Sequence, residues 1–393
     1  MANPPTTRRL IAEQLSKMRR DPLLVVWALF VLLDPVYIFK SGLPQPGDML
    51  IVMLAPFALA GWRGRLRPRS VRAVRALLWF LLYVVVSALI WSLISDMWSF
   101  NAKKGFFQTP WYYVFDALVF LVVLIMYERY DERFVRLTVW LIFFSVCFQF
   151  AMTFVYTRGG TLRTYGLFNS ANQLGYFAIL SGSLLLIGAR RARLPTTFLI
   201  GAQLCCCYLA LLSASRAALV SAGILMMVAV LNRFRTLIVI GLISAFFVFV
   251  TNPFEAAIER SHTRIANDQS LGLLEERGYD RIIDNLEYLI VGAGEGGYDR
   301  YYYTSAIKAH EIHSSGGTLI FCYGIVGTSF FIAFLWHVMR GSTWKRLLLL
   351  APATAYGLSH QGLRFTSLWV LLAIVVMLNE LDARERALRG KPT

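Results

Sequence analysis

Six arginines and one histidine stand apart from the other basic residues of this 393-residue chain. Arg158 and Arg163 lie in "TRGGTLRTYGLFNSANQ", Arg216 in "LLSASRAALV" and Arg364 in "LSHQGLRF", while Arg277 and Arg281 sit four apart and share a face if that segment is helical. Guanidinium forks match phosphate oxygens bidentately and keep their charge at any working pH. Several of them on one face would bind a diphosphate. For the Arg277/Arg281 pair, Glu276 and Asp280 offer the plainer alternative of a solvated, ion-paired helix. His313 stands in "EIHSSGG", two residues after Glu311. An imidazole can take a proton from a hydroxyl nucleophile or hold a sugar hydroxyl, with Glu311 orienting it. Asn169, Asn172 and Gln173 precede an apolar run and can either cap it or bind sugar hydroxyls. Tyr298 and Tyr301 either line a saccharide path or belong to an interfacial aromatic belt. Neither DxD nor HExxH occurs among the residues around them, so the expected chemistry uses no metal and no cofactor.

What must position these residues is a membrane. The chain is 57% hydrophobic and only 16% charged, and apolar runs of span length recur throughout it. The fold class expected is all-α, a polytopic bundle of about twelve transmembrane helices. The net charge of +16 reads as orientation and not as nucleic-acid binding. With the N-terminus in the cytoplasm, 26 of the 39 Lys and Arg fall on the inner side, including the run from Arg63 to Arg75. Both termini are then cytoplasmic, and the six arginines and His313 face outward. Arg216 is the sharpest case, because its connection is only a few residues long and places it at membrane depth. There an arginine snorkels, pairs or binds an anion.

The predicted organisation is an interfacial N-terminal segment (1–22), nine spans (23–252), one large outer loop (253–316), three spans (317–381) and a cytoplasmic tail (382–393). The loop holds eleven acids, six Lys or Arg and three His. Two of its pieces have helical spacing, and "VGAGEGGYDRYYY" breaks them. A connection of that length usually has a task. Five cysteines, three consecutive at 205–207, have neither disulfide nor ligand spacing and read as packing residues. Asp34 and Asp116 lie within spans and can counter outer arginines.

Four stretches then resemble, in order and on the same side, the bacterial O-antigen ligase and polymerase family: "RTYGLFNSANQLGYFAIL", "LLSASRAALV", "NLEYLIVGAGEGGYDRYY" and "EIHSSGGTLIFCYGIVG". The resemblance covers about residues 160–335. It implies Arg163, Arg216 and Arg281 as diphosphate-handling arginines, with Arg277 an alternative to Arg281, and His313 as the residue near the acceptor. Ligases of the family commonly carry asparagine after this histidine, where this chain has Ser314; "EIHSS" looks more like the polymerase branch. The resemblance therefore implies a metal-independent, inverting glycosyltransferase of the bacterial inner membrane with its active face in the periplasm. Its donor would be an undecaprenyl diphosphate-linked oligosaccharide and its acceptor a second lipid-linked repeat unit, giving O-antigen or exopolysaccharide. Membrane lipids are partners, and a chain-length-regulating co-polymerase is a further one to test. Two other readings stay open: a ligase that delivers glycan to lipid A core or protein, and a transporter or flippase of lipid-linked sugars. Carriers often show matched halves, which this sequence lacks.

Overall fold

The computed structural model describes residues 21–40, 42–62, 64–97, 103–156, 164–230, 278–296 and 311–390. Among them are twelve α-helices and one 3-10 turn, and no strand. In chain order these are α1 (Pro22–Leu33), α2 (Pro46–Ala60), α3 (Pro68–Met97), α4 (Lys103–Tyr130), α5 (Glu132–Val155), α6 (Ala171–Ala192), α7 (Thr196–Leu212), α8 (Arg216–Val230), α9 (Asp280–Asp284), α10 (Ser315–Met339), α11 (Trp344–Ser359) and α12 (Thr366–Leu388). By length and composition, α3, α4, α5, α6, α10 and α12 can each cross a membrane, and α1, α2, α7 and α8 are shorter apolar helices. The described residues are all-helical, and their long apolar helices mark a membrane-embedded protein. Its twelve helices are not the twelve expected spans: the run at 236–252 lies outside the described residues, and α9 is a five-residue helix in the expected outer loop. The helical spacing over "SLGLLEERGYDRIIDNLEYLI" resolves, in its described part, into α9 and the turn Leu286–Tyr288.

Local chemistry sets the ends of these helices. Asp21 accepts from the Leu23 amide at 3.1 Å and Pro22 opens α1, which stops just before Pro35. Ser170 and Gln173 form a reciprocal capping box at the start of α6. Ser314 caps α10 by accepting from the Gly317 amide at 3.1 Å, and Thr343 caps α11.

The described residues fall into two compact units, and α4 and α11 contribute to both. The first comprises residues up to 65, then 125–230 and 348–353. Its hub is α6, with 83% of its apolar window buried between α5, α7 and α8. Small residues let the backbones approach: a methyl at Gly175 would lie 2.8 Å from Ser213 Oγ, and one at Gly188 would collide with Val139. Trp27 on α1 donates to Thr138 Oγ1 on α5 at 3.0 Å.

The second unit comprises 66–124, 278–347 and 354–390. In it α10 packs against α3 and α12. Phe80, Tyr113, Tyr323, Phe331, Phe334 and Trp369 form its aromatic core, with Trp369 stacked on Phe334 at 5.7 Å. At one end of α10 the amide of Arg69 on α3 donates to Glu380 Oε1 at 2.6 Å, and its guanidinium reaches the Arg340 carbonyl. The other end, about 37 Å away along a 25-residue helix, carries "EIHSS".

Candidate functional site

The glycine-rich run and the "GIVG" turn of α10 meet each other. Gly324 has φ 63° and ψ −172°, which breaks α10 in mid-course. In an unbroken helix the amides of Ile325 and Val326 would donate to the carbonyls of Phe321 and Cys322. Here they donate to Leu289 and Ile290 at 2.8 and 3.2 Å, while Phe321 and Cys322 accept from Ala293 and Gly294 at 2.8 and 2.9 Å. The loop is spliced into the gap, and four bonds replace two. Further carbonyls in the loop are met by side chains of α3: Tyr83 donates to Val291 at 2.7 Å and Trp91 to Gly292 at 3.2 Å. Gly292 and Gly324 both have positive φ, and a methyl on either would strike the opposing backbone, at the Cys322 and Ile290 carbonyls. Gly324 lies about 13 Å along α10 from Ser315. Non-helical backbone at that depth persists only where its polar groups are satisfied by protein.

The splice carries a carboxylate inward. Glu295 is 2% exposed. Its Oε2 accepts from Tyr113 at 2.7 Å and Tyr323 at 2.6 Å, and its Oε1 pairs with Arg364 Nη2. Arg364 Nη1 reaches Glu311 Oε1 at 3.0 Å, and the guanidinium lies over the Tyr112 ring at 4.7 Å. Three donors on one buried carboxylate offset its desolvation. Sequence reasoning singled out Arg364 but passed over Glu295, Tyr112, Tyr113 and Tyr323. The one hint was a lone acid flanked by glycines in "GAGEGG".

The stretch bearing Arg364 is strapped to the first turn of α10. The Ser315 amide and hydroxyl donate to the His360 carbonyl at 3.2 and 3.1 Å, Gly362 donates to Ser315 Oγ at 2.8 Å, and Gln361 donates to Thr318 Oγ1 at 3.1 Å. Tyr279 Oη and Ser314 Oγ lie 2.6 Å apart and both reach the Leu358 carbonyl, at 2.8 and 2.7 Å. That contact anchors the start of α9, whose Arg281 is 4% exposed, beside the exposed His313. Glu311, His313, Arg281 and Arg364 therefore sit on elements joined at one end of α10. Glu311, expected to orient His313, pairs with Arg364.

In the first unit, Arg216 is exposed and opens α8 after a tight turn in which Ala214 has φ 48°. Ser213 Oγ accepts from the Ser215 amide at 3.3 Å and donates to the Ala210 carbonyl at 2.7 Å. The Thr164 amide donates to the Leu212 carbonyl at 3.2 Å, which sets Thr164 beside this turn. Asn169 donates to the Phe39 carbonyl at 2.7 Å, and Asn172 lies half-buried in the first turn of α6. Arg158, Arg163, Arg277, Tyr298 and Tyr301 lie outside the described residues.

No protein-family model matches the chain, and a search of curated proteins returns no match. The site therefore rests on its own chemistry. Among the described residues, no three His, Cys, Asp or Glu side chains are grouped to hold a metal. An apolar groove of about 170 Å³, lined by Val85, Leu89, Phe106, Phe107, Pro110 and Trp111, lies between α3 and α4. Trp91 and Phe106, which crowd Gly294, tie that wall to the spliced loop.

Proposed function

We propose that the protein is a membrane glycosyltransferase of the O-antigen ligase and polymerase type. It would polymerise repeat units carried on undecaprenyl diphosphate at the periplasmic face of the bacterial inner membrane. The observation that carries this reading is that the three separated stretches bearing Arg281, His313 and Arg364 are bonded together at the end of α10 opposite its Arg69 and Arg340 end. A head group bearing two phosphates needs fixed cations, an apolar tail needs a greasy wall, and an acceptor hydroxyl needs a base. The groove between α3 and α4 suits the tail. In the reaction the acceptor hydroxyl attacks the donor anomeric carbon, the carbon–oxygen bond to the diphosphate breaks, and His313 takes the proton. Arginines stabilise the charge that builds on the leaving diphosphate. Direct attack inverts the anomeric configuration.

The ligase branch stays in view for a specific reason. Ser314, where ligases of the family commonly have asparagine, is the N-cap of α10. Serine and asparagine cap about equally well, so the change is neutral for the helix.

Purified protein given a lipid-diphosphate repeat unit separates the readings: a ladder of products supports polymerisation, a single transfer to a lipid A core acceptor supports ligation, and no transfer removes both. Arg216→Ala should abolish polymer with the protein still in the membrane. For His313→Ala, activity should fall by about 10²-fold or more if it is the base. Normal ladders from both variants would end the assignment.

A further inference from the structure

We propose that Arg364 is an anion-exchange position, in which Glu295 holds the guanidinium permanently and Glu311 occupies the place that a substrate phosphate oxygen takes. The inference rests on the reading of the substrate as a lipid diphosphate, and it assigns to two carboxylates roles that reading did not give them.

The carboxylates of Glu295 and Glu311, both paired with Arg364, differ in kind. The Glu295 side chain is 1% exposed, both of its oxygens are engaged, and its backbone belongs to the loop spliced into α10. Removing it would strand a cation among Tyr112, Tyr113 and Tyr323. The Glu311 side chain is 43% exposed and makes a single 3.0 Å contact to Nη1. An ion pair that open to solvent is weak, because water and salt screen it. One nitrogen of the fork is therefore committed and the other is covered by a carboxylate that leaves at little cost. A phosphate oxygen has the same charge, accepts the same hydrogen bond and carries more charge in total, so it displaces Glu311. The exchange would also release Glu311 two residues before His313, so that loading of the phosphate and the setting of the histidine are linked.

The test uses the full-length purified chain in detergent and inorganic pyrophosphate as the probe, with affinity read by calorimetry. Glu311→Gln should bind pyrophosphate about two- to five-fold more tightly than the parent, the gain expected from removing a weak competing ion pair. Glu287→Gln removes the same charge from an exposed position in the neighbouring turn and should change affinity little. Glu295→Gln should weaken binding at least tenfold. As that variant can also unfold, the decisive comparison is between the two exposed substitutions. Equal affinities for Glu311→Gln and the parent, an equal gain from Glu287→Gln, or no pyrophosphate binding to any variant would overturn the exchange. The function assay fails separately: pyrophosphate exchange without transfer of glycan removes the polymerase, whereas a ladder with unchanged Glu311→Gln affinity removes only the exchange.

Discussion

The Glu295 carboxylate and its three donors show how an acid can be kept among membrane helices. A charged side chain at such a place is costly unless its oxygens find partners, and here two phenols and a guanidinium supply them. Tyr323→Phe deletes one donor and leaves its shape nearly unchanged. Since a hydrogen bond to a charged group contributes about 1.5–3 kcal/mol, the variant should lose that order of stability, seen as a lower thermal midpoint in detergent. An unchanged midpoint would mean that the carboxylate is satisfied without it. At this scale the sequence was uneven. Arg364 was legible because it opposes the orientation bias of the basic residues. Glu295 was not, because it is one of eleven acids in its segment and burial is not written in composition.

At the scale of elements, the broken α10 and the inserted loop form one unit of structure. Gly324→Ala would place a side chain at φ 63° and ψ −172°, a region open essentially only to glycine and costing about 1–3 kcal/mol otherwise, and drive its methyl into the Ile290 carbonyl. We expect strong destabilisation or loss of the protein from the membrane. Gly223→Ala, on a helical position with open space around it, should be neutral or slightly stabilising. Membrane yield and detergent melting of the two variants provide the check, and similar values would refute the splice. Both glycine motifs were visible in the sequence as separate marks. Nothing in their spacing said that they touch, because the amides of one meet the carbonyls of the other only through tertiary structure. The caps were partly readable: of the candidates Asn169, Asn172 and Gln173, Gln173 takes part in the capping box of α6, whose N-cap is Ser170.

For the whole molecule, composition identified a membrane protein and most of the apolar helices. Segment lengths were harder to read, since apolar runs form α1, α2 and α7, helices of 12, 15 and 17 residues that begin beside a proline. The proposed sidedness has a direct test. A cysteine placed at exposed His313 should react with a membrane-impermeant maleimide in cells whose outer membrane is opened. One at Leu388, 88% exposed, should react only after the inner membrane is breached. Labelling with the opposite preference would invert the topology and place the arginines in the cytoplasm.

The splice also bears on the order of synthesis. Residues 289–294 leave the ribosome before 321–326, so the donors at Ala293 and Gly294 exist before the carbonyls they serve. A nascent α10 entering the bilayer alone can satisfy the Phe321 and Cys322 carbonyls and the Ile325 and Val326 amides only as an unbroken helix. The break at Gly324 therefore belongs to the assembled pair, in which the loop's donors and acceptors replace those of a straight helix.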